Sequence, residues 1–225
     1  MNNPLLEYYQ QIQGGAVIVG NFIKLWYQQI IDGLQNKRYF FDLKKATRAI
    51  KFIENFLHHH EGELAPHLVK LELWQKAMVA VIFGIVDNDG CRQFREVATV
   101  IGRKNGKTLL AAGIAEYLAY LGDYGARVVF VAPKLEQASL CYDALYQSIT
   151  QEPELNALAK KRRTDIYIEQ NNTTIKPIAF SAKKSDGLNL SLAVCDEIAA
   201  WHGDQGLKMY EVLASSMGAE KSRCF

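Results

Sequence analysis

Glu96-Val97-Ala98-Thr99-Val100-Ile101-Gly102-Arg103-Lys104-Asn105-Gly106-Lys107-Thr108, followed at once by an Ala/Leu-rich run to Leu121, is the stretch on which the fold turns. Five of its first six residues are β-branched or small, and the run predicts a short buried strand over 96–101. Residues 107–121 predict a long helix. A strand passing through such a loop into a helix is the setting of a phosphate-binding loop. Gly106 lets the backbone turn so that its N–H groups converge on one point. The helix N-terminus adds partial positive charge at that point. Lys107 would reach the β- and γ-phosphates, and the Thr108 hydroxyl would ligate Mg²⁺. The spacing departs from the usual pattern, which asks for glycine at Ile101; Gly102 stands one position late.

Working outward, strands and helices alternate. Leu71 to Ile85 reads as a mostly buried helix, and Asp87-Asn88-Asp89-Gly90 as a turn. Arg127 to Ala132 is an apolar strand stopped by Pro133. Leu135, Ala138, Cys141, Tyr142, Leu145 and Ile149 keep helical spacing, whereas Ile166-Tyr167-Ile168 and Thr174 to Phe180 alternate like strands. Ser191 to Cys195 predicts a fully buried strand, and Gln205 to Ser215 a last helix. Such alternation implies an α/β fold with a mostly parallel sheet flanked by helices.

The strand ending at Cys195 delivers Asp196 and Glu197. Ligands of open α/β sheets bind at the C-terminal ends of strands. Asp196 is therefore a candidate Mg²⁺ partner. Glu197 is a candidate base that orients the attacking water. The same two acids also suit a helix N-cap with an acid in its first turn.

Before all this lies a small helical region. Val19, Phe22, Ile23, Trp26, Tyr27, Ile30, Ile31 and Leu34 follow a 3.6-residue period. Asp42 is a suitable N-cap for a second helix that buries Ala46, Ala49, Ile50, Ile53, Phe56 and Leu57. His58-His59-His60 then closes that helix, where histidines suit the negative end of the dipole.

Composition excludes little else. A net charge of +2 argues neither for nor against nucleic-acid binding. No apolar stretch reaches a membrane-spanning length, and Ala77 to Val86 is too short. Met1-Asn2-Asn3-Pro4 has no signal-peptide character. Cys91, Cys141, Cys195 and Cys224 form no CxxC pair, so the spacing suggests neither zinc nor a disulfide framework, and a cytoplasmic location is expected.

Taken together, the motifs resemble the large terminase subunit of tailed bacteriophages over residues ~70 to 200. Leu71-Glu72-Leu73-Trp74-Gln75-Lys76 is similar to that family's adenine-recognition segment. Arg103-Lys104-Asn105-Gly106-Lys107-Thr108 resembles its glycine-poor Walker A loop. Ser181-Ala182, Asp186-Gly187-Leu188-Asn189 and Asp196-Glu197 resemble its Walker B approach. Val129 to Pro133 with Glu136-Gln137-Ala138 matches the segment after its second core strand.

The resemblance implies a P-loop NTPase (RecA/ASCE-like) fold, with a helical region over 1–66 and an ATPase domain over 67–225. It implies ATP and Mg²⁺ as cofactors. Gln75 would bond the adenine with Trp74 nearby. Gly102, Lys104, Asn105, Gly106, Lys107, Thr108 and Leu109 would cradle the phosphates. Thr108 and Asp196 would hold the metal. Glu197, Arg103 and Lys107 would act in catalysis, Arg103 as a cis-acting arginine at the γ-phosphate. The implied setting is the host-cell cytoplasm, with double-stranded DNA held through its phosphates, a small terminase subunit, a portal ring and a possible homo-oligomeric ring as partners, and no membrane. Lys160, Lys161, Arg162 and Arg163 are candidate DNA contacts.

The family continues into a coupling motif and a nuclease domain. The chain is expected to be an ATPase-side fragment without nuclease activity. Two alternatives stand beside this reading: a superfamily-2-like helicase or other P-loop ATPase, and a non-catalytic remnant that docks through its N-terminal helices.

Overall fold

The computed structural model describes residues 3–102, 104–179 and 189–218. They group into two compact units. One is built mainly on Met1–Glu54 and Lys70–Val100, the other on Asn55–Val69 and Ile101–Lys221.

In the first unit, α1 (Pro4–Gln13) precedes the two amphipathic helices singled out within the helical region. Proline at its first position and Asn3 before it are start signals: Asn3 Oδ1 accepts the Leu5 N–H at 3.1 Å. The helix α2 (Asn21–Gln35) follows the expected period, but the stripe is only partly buried. Tyr27, Ile30 and Ile31 are covered, while Phe22 is 89% exposed. Gly33 is required by close approach, because a Cβ there would fall 2.2 Å from the Tyr39 hydroxyl. Asp42 caps α3 (Leu43–Phe56) as expected, its Oδ1 accepting the Lys45 N–H at 3.0 Å. The helix α4 (Leu73–Gly84) is buried from Ala77 onward apart from Met78, and α1 packs on it. Two short strands, β1 (Phe40–Phe41) and β2 (Ile85–Val86), pair antiparallel.

The expected strand over 96–101 does not form. Among the described residues it has no strand assignment, Val97 is 45% exposed and Val100 is fully exposed. Its β-branched composition favours extended backbone. Without a ladder, however, that run gains neither strand-to-strand hydrogen bonds nor the burial of a sheet interior.

The second unit holds a five-stranded sheet in the order β4-β5-β6-β3-β7. Its strands are β3 (Arg127–Ala132), β4 (Ala159–Lys161), β5 (Ile166–Ile168), β6 (Thr173–Ala179) and β7 (Leu192–Cys195). The strand β3 runs parallel to both β6 and β7, but β4, β5 and β6 pair antiparallel. The sheet is therefore mixed, not mostly parallel. The turns between β4 and β5 and between β5 and β6 are of hairpin length, and a parallel crossover needs a dozen residues or so. The strand β7 is half-buried along its length, not fully buried as expected, because it ends the described strand order.

Helices α5 (Lys107–Leu121), α6 (Leu135–Gln151), α7 (Pro153–Leu158) and α8 (Gly203–Gly218) flank the sheet. Val129 and Val131 pack with Leu190, Met209 and Leu213, so α8 covers one face. Alternation sends Val128 and Phe130, both buried, to the other. Among the described residues no helix is long and apolar enough to cross a membrane.

The histidine run does not serve as a helix cap. The His58 N–H donates to Ser148 Oγ at 3.0 Å, and its ring Nε2 lies 3.2 Å from Glu152. No metal-holding cluster of His, Cys, Asp and Glu occurs among the described residues. On α5, Glu116 is fully buried, and neither carboxyl oxygen finds a partner of good hydrogen-bond geometry. Burial pushes its pKa well above the ordinary carboxylate range, and the Ser148 hydroxyl opposes this only in part. Cys91 is disulfide-bonded, which the absence of CxxC spacing gave no hint of; Cys141 and Cys195 are free.

Candidate functional site

The register of β3 and β7 sets Val131 opposite Cys195. The next residue, Asp196, donates its N–H to Val131 O at 3.2 Å and so leaves the sheet at its C-terminal edge. There it meets the start of α5. Lys107 Nζ lies 2.7 Å from Asp196 Oδ1, a charge-assisted bond between residues 89 apart in sequence. This bond holds the Lys107 pKa above its ordinary value; burial opposes the shift, and the charges of Asp196 and Glu197 add to it. The carboxylate is oriented from several sides. Its Oδ1 also accepts the Glu197 N–H at 2.8 Å, Cys141 Sγ lies 3.8 Å from Oδ2, and the Trp201 indole donates to the Asp196 carbonyl at 3.0 Å. The Cys141 thiol is pushed up to about 12, first by burial and then by Asp196, with Thr108 and Lys107 opposing. It stays a neutral packing group.

Glu197 sits in the left-handed region at φ 50° and ψ 44°. A non-glycine residue held there costs on the order of 1–3 kcal/mol, and such strain clusters at functional sites. Gln137 Nε2 on α6 donates to Glu197 Oε2 at 3.3 Å. Gln137 belongs to Glu136-Gln137-Ala138, a segment for which the resemblance implies no residue role. Neither it nor Trp201 could be placed at the carboxylates without the packing of α6 and the turn after β7.

The loop before α5 is open to solvent. Gly102, Lys104, Asn105 and Gly106 are exposed, and Lys107, Thr108 and Leu109 are half-buried. Lys104 at φ 64° and Gly106 at φ 73° both adopt the left-handed conformation, and Asn105 Nδ2 donates to Gly102 O at 3.2 Å. Left-handed residues at alternate positions turn successive N–H groups toward one concavity, the arrangement that binds anions. Gly106 is the N-cap of α5 and offers no side-chain cap.

Not every anticipated residue gathers here. Arg103, Ser181, Ala182, Asp186, Gly187 and Leu188 lie outside the described residues. Asn189 is exposed. Trp74 and Gln75 stand half-buried in the first turn of α4, in the first unit. Gln75 Oε1 accepts the Glu72 N–H at 2.9 Å, completing a capping box. The polar side chain thus finds a partner inside its own helix.

Residues 73–224 match the family described as terminase large subunit, ATPase domain. The chain belongs to this family. Membership decides between the terminase and helicase readings in favour of the first, and the matched residues include both Lys107 and Asp196. The crystal structure of the HK97 bacteriophage large terminase is similar, with a TM-score of 0.66 and 22% identity, covering 80% of this chain and 36% of that one. At this identity the likeness shows the fold alone. The terminase ATPase domain described here thus spans about a third of the length of that large terminase. No curated protein matches the sequence.

Proposed function

We propose that this terminase ATPase domain binds ATP with Mg²⁺ between the loop 102–109 and the Asp196-Glu197 edge, and that it hydrolyses ATP to drive double-stranded DNA into a procapsid. The observation that carries this reading is the 2.7 Å pair between Lys107 and Asp196. A lysine and a carboxylate that hold each other at an open sheet edge have matched alternatives when nucleotide arrives. Lys107 turns to the β- and γ-phosphates, and Asp196 is released toward a cation. The exchange keeps both charges paired, so little desolvation is left uncompensated.

The donor set fits the metal. Thr108 and Asp196 offer hard oxygens, and Mg²⁺ is usually held by one or two carboxylates together with substrate phosphates, not by an all-protein cage. When bound, the ion would neutralise charge on the β- and γ-phosphate oxygens. Glu197 would orient the attacking water and take its proton, with Gln137 fixing the carboxylate that does so. The N–H groups of Lys104 to Leu109 would cradle phosphate oxygens at the start of α5. Arg103 would offset charge at the γ-phosphate, a role worth ~10³-fold or more in NTPases. Trp74 and Gln75 would contact the adenine. The functional division places the helical region at 1–66 and the P-loop NTPase of RecA/ASCE type at 67–225. In a complete motor the partners would be DNA phosphates, a small terminase subunit, a portal and further copies in a ring, in the host cytoplasm.

Phosphate release from the isolated chain tests the reading. Turnover that needs Mg²⁺ and is lost in Glu197→Gln supports it. Absent turnover, or turnover indifferent to Glu197, leaves a nucleotide-binding remnant in its place.

A further inference from the structure

The basic residues that stand out in sequence, Lys160 to Arg163, are mostly committed within the molecule. Lys160 pairs with Glu169 at 2.7 Å, Lys161 Nζ donates to Tyr142 at 2.7 Å, and Arg162 pairs with Asp165 at 2.6 Å. Lys161 also lies over the Tyr142 and Tyr146 rings, and Arg162 over Tyr167. Such groups would have to surrender internal partners to meet a phosphate.

The first unit carries a different concentration of charge. Residues 37–51 contain six Lys or Arg and one acid, Asp42. That is a surplus of five positive charges in a chain of net +2, so the remaining residues sum to about −3. The acid is occupied, since Asp42 caps α3 through the Lys45 N–H. Lys45 itself is tied to the Gly90 carbonyl at 2.5 Å. Of the cations on α3 itself, Lys44, Arg48 and Lys51 remain. They recur at i, i+4 and i+7, are all exposed, and line one face of α3. They border an open groove of about 860 Å³, whose other walls include Phe40, Phe41 and Val86. The acid of α3 outside this row, Glu54, is held by Lys76 at 3.1 Å.

We infer that this face of α3 is a DNA-contacting surface that grips the phosphodiester backbone of a duplex through Lys44, Arg48 and Lys51. The choice of DNA over other polyanions rests on the packaging function proposed above. The geometry suits a regular line of charge. Seven residues of helix span about 10 Å at ~1.5 Å each. That length faces about three phosphate steps of one strand at ~3.4 Å of axial rise. Flexible cations on a helix face read no base edges, which suits movement along any sequence. The apolar groove wall lets the lysine stems lie against Phe40 and Phe41 while their ammonium groups reach outward.

The test is fluorescence anisotropy of the full chain with a short blunt DNA duplex across a salt series, in the absence of nucleotide. Wild type should bind at low salt. The combined variant Lys44→Gln, Arg48→Gln, Lys51→Gln should bind at least tenfold more weakly. Its slope of log affinity against log salt should be flatter by about 2.7, ~0.9 for each lost phosphate contact. Lys160→Gln with Arg163→Gln should leave both quantities unchanged. An unchanged slope in the α3 variant, or no duplex binding by wild type, overturns the inference. Equal affinity for a single strand of the same length overturns the duplex assignment. Circular dichroism checks that the variant is folded. An ATP titration of the same samples reports separately on the nucleotide site: intact ATP binding with no DNA binding rejects this surface alone, while loss of ATP binding in wild type rejects the proposed function.

Discussion

Two helix starts in this protein are built from opposite choices. The first turn of α4 closes on itself, because Gln75 Oε1 takes the Glu72 N–H at 2.9 Å. The first turn of α5 has no such closure. Its N-cap is Gly106 in the left-handed conformation, no side chain caps it, and Lys107 reaches across to Asp196. Every helix begins with N–H groups that lack intrahelical partners. A start satisfied by its own side chains is a structural boundary. One left open behind a turn of left-handed residues, with a cation beside it, is a receptor for an anion. The contrast separates the two segments that the resemblance assigns to nucleotide. Under the proposed function the loop before α5 would take phosphate through its backbone, whereas Gln75 has a structural duty that any role toward adenine must share.

The largest effect expected on this comparison is at the open start. Glu197→Gln should reduce ATP turnover by about 10²–10⁴-fold, the usual scale of general-base catalysis, with ATP affinity held within about twofold. Phosphate-release kinetics with a parallel binding titration would check both halves. Loss of affinity along with rate would mean that Glu197 shapes the binding site itself.

Gly106→Ala should weaken ATP binding by about tenfold, since a Cβ in the left-handed region costs ~1–2 kcal/mol. An unchanged affinity would mean that the loop reshapes on binding and that its conformation without ligand carries no preorganisation.

At the closed start, Gln75→Ala should cost about 1 kcal/mol of stability through the lost cap, read by denaturant melts. Gln75→Glu keeps the acceptor oxygen and should restore most of it. The ratio of ATP to GTP affinity in the Gln75→Glu variant then sharpens the comparison. An unchanged ratio makes the residue a cap only, while a fall assigns it to the base as well.

The smallest effect lies further along α5. Because the folded pKa of Glu116 is raised, the folded state binds the proton more tightly than the unfolded chain does. Stability therefore falls as pH rises from about 4.5 through the raised value. Glu116→Gln should lift the melting temperature at neutral pH by a few degrees and flatten its decline above about pH 5. A lower melting temperature in the variant would mean that the carboxylate is held by a partner of its own.

Much of this was legible along the chain. The strand β3, the helices α4 and α6 and the ends of α5 follow from local period and composition, as does the arrival of Asp196 at a strand end. What escaped depends on partners distant in sequence. The run 96–101 has the composition of a strand, yet composition supplies no ladder. The antiparallel half of the sheet follows from short turns at 162–165 and 169–172, which carry no strong glycine signal. The cap at α4 is hard to read from sequence because glutamate is an uncommon N-cap, although Glu72 and Gln75 have capping-box spacing. Gln137 and Trp201 reach the carboxylates only through the packing of α6 and the turn after β7.

The central claim is that the Lys107–Asp196 pair opens to receive a triphosphate. Calorimetric titration of ATP with Mg²⁺ into the chain and into Lys107→Ala tests it most directly. The claim expects saturable binding by the chain and an affinity at least about tenfold lower in the variant, the scale of a lost charge-assisted hydrogen bond. Equal affinity in the two proteins would contradict it.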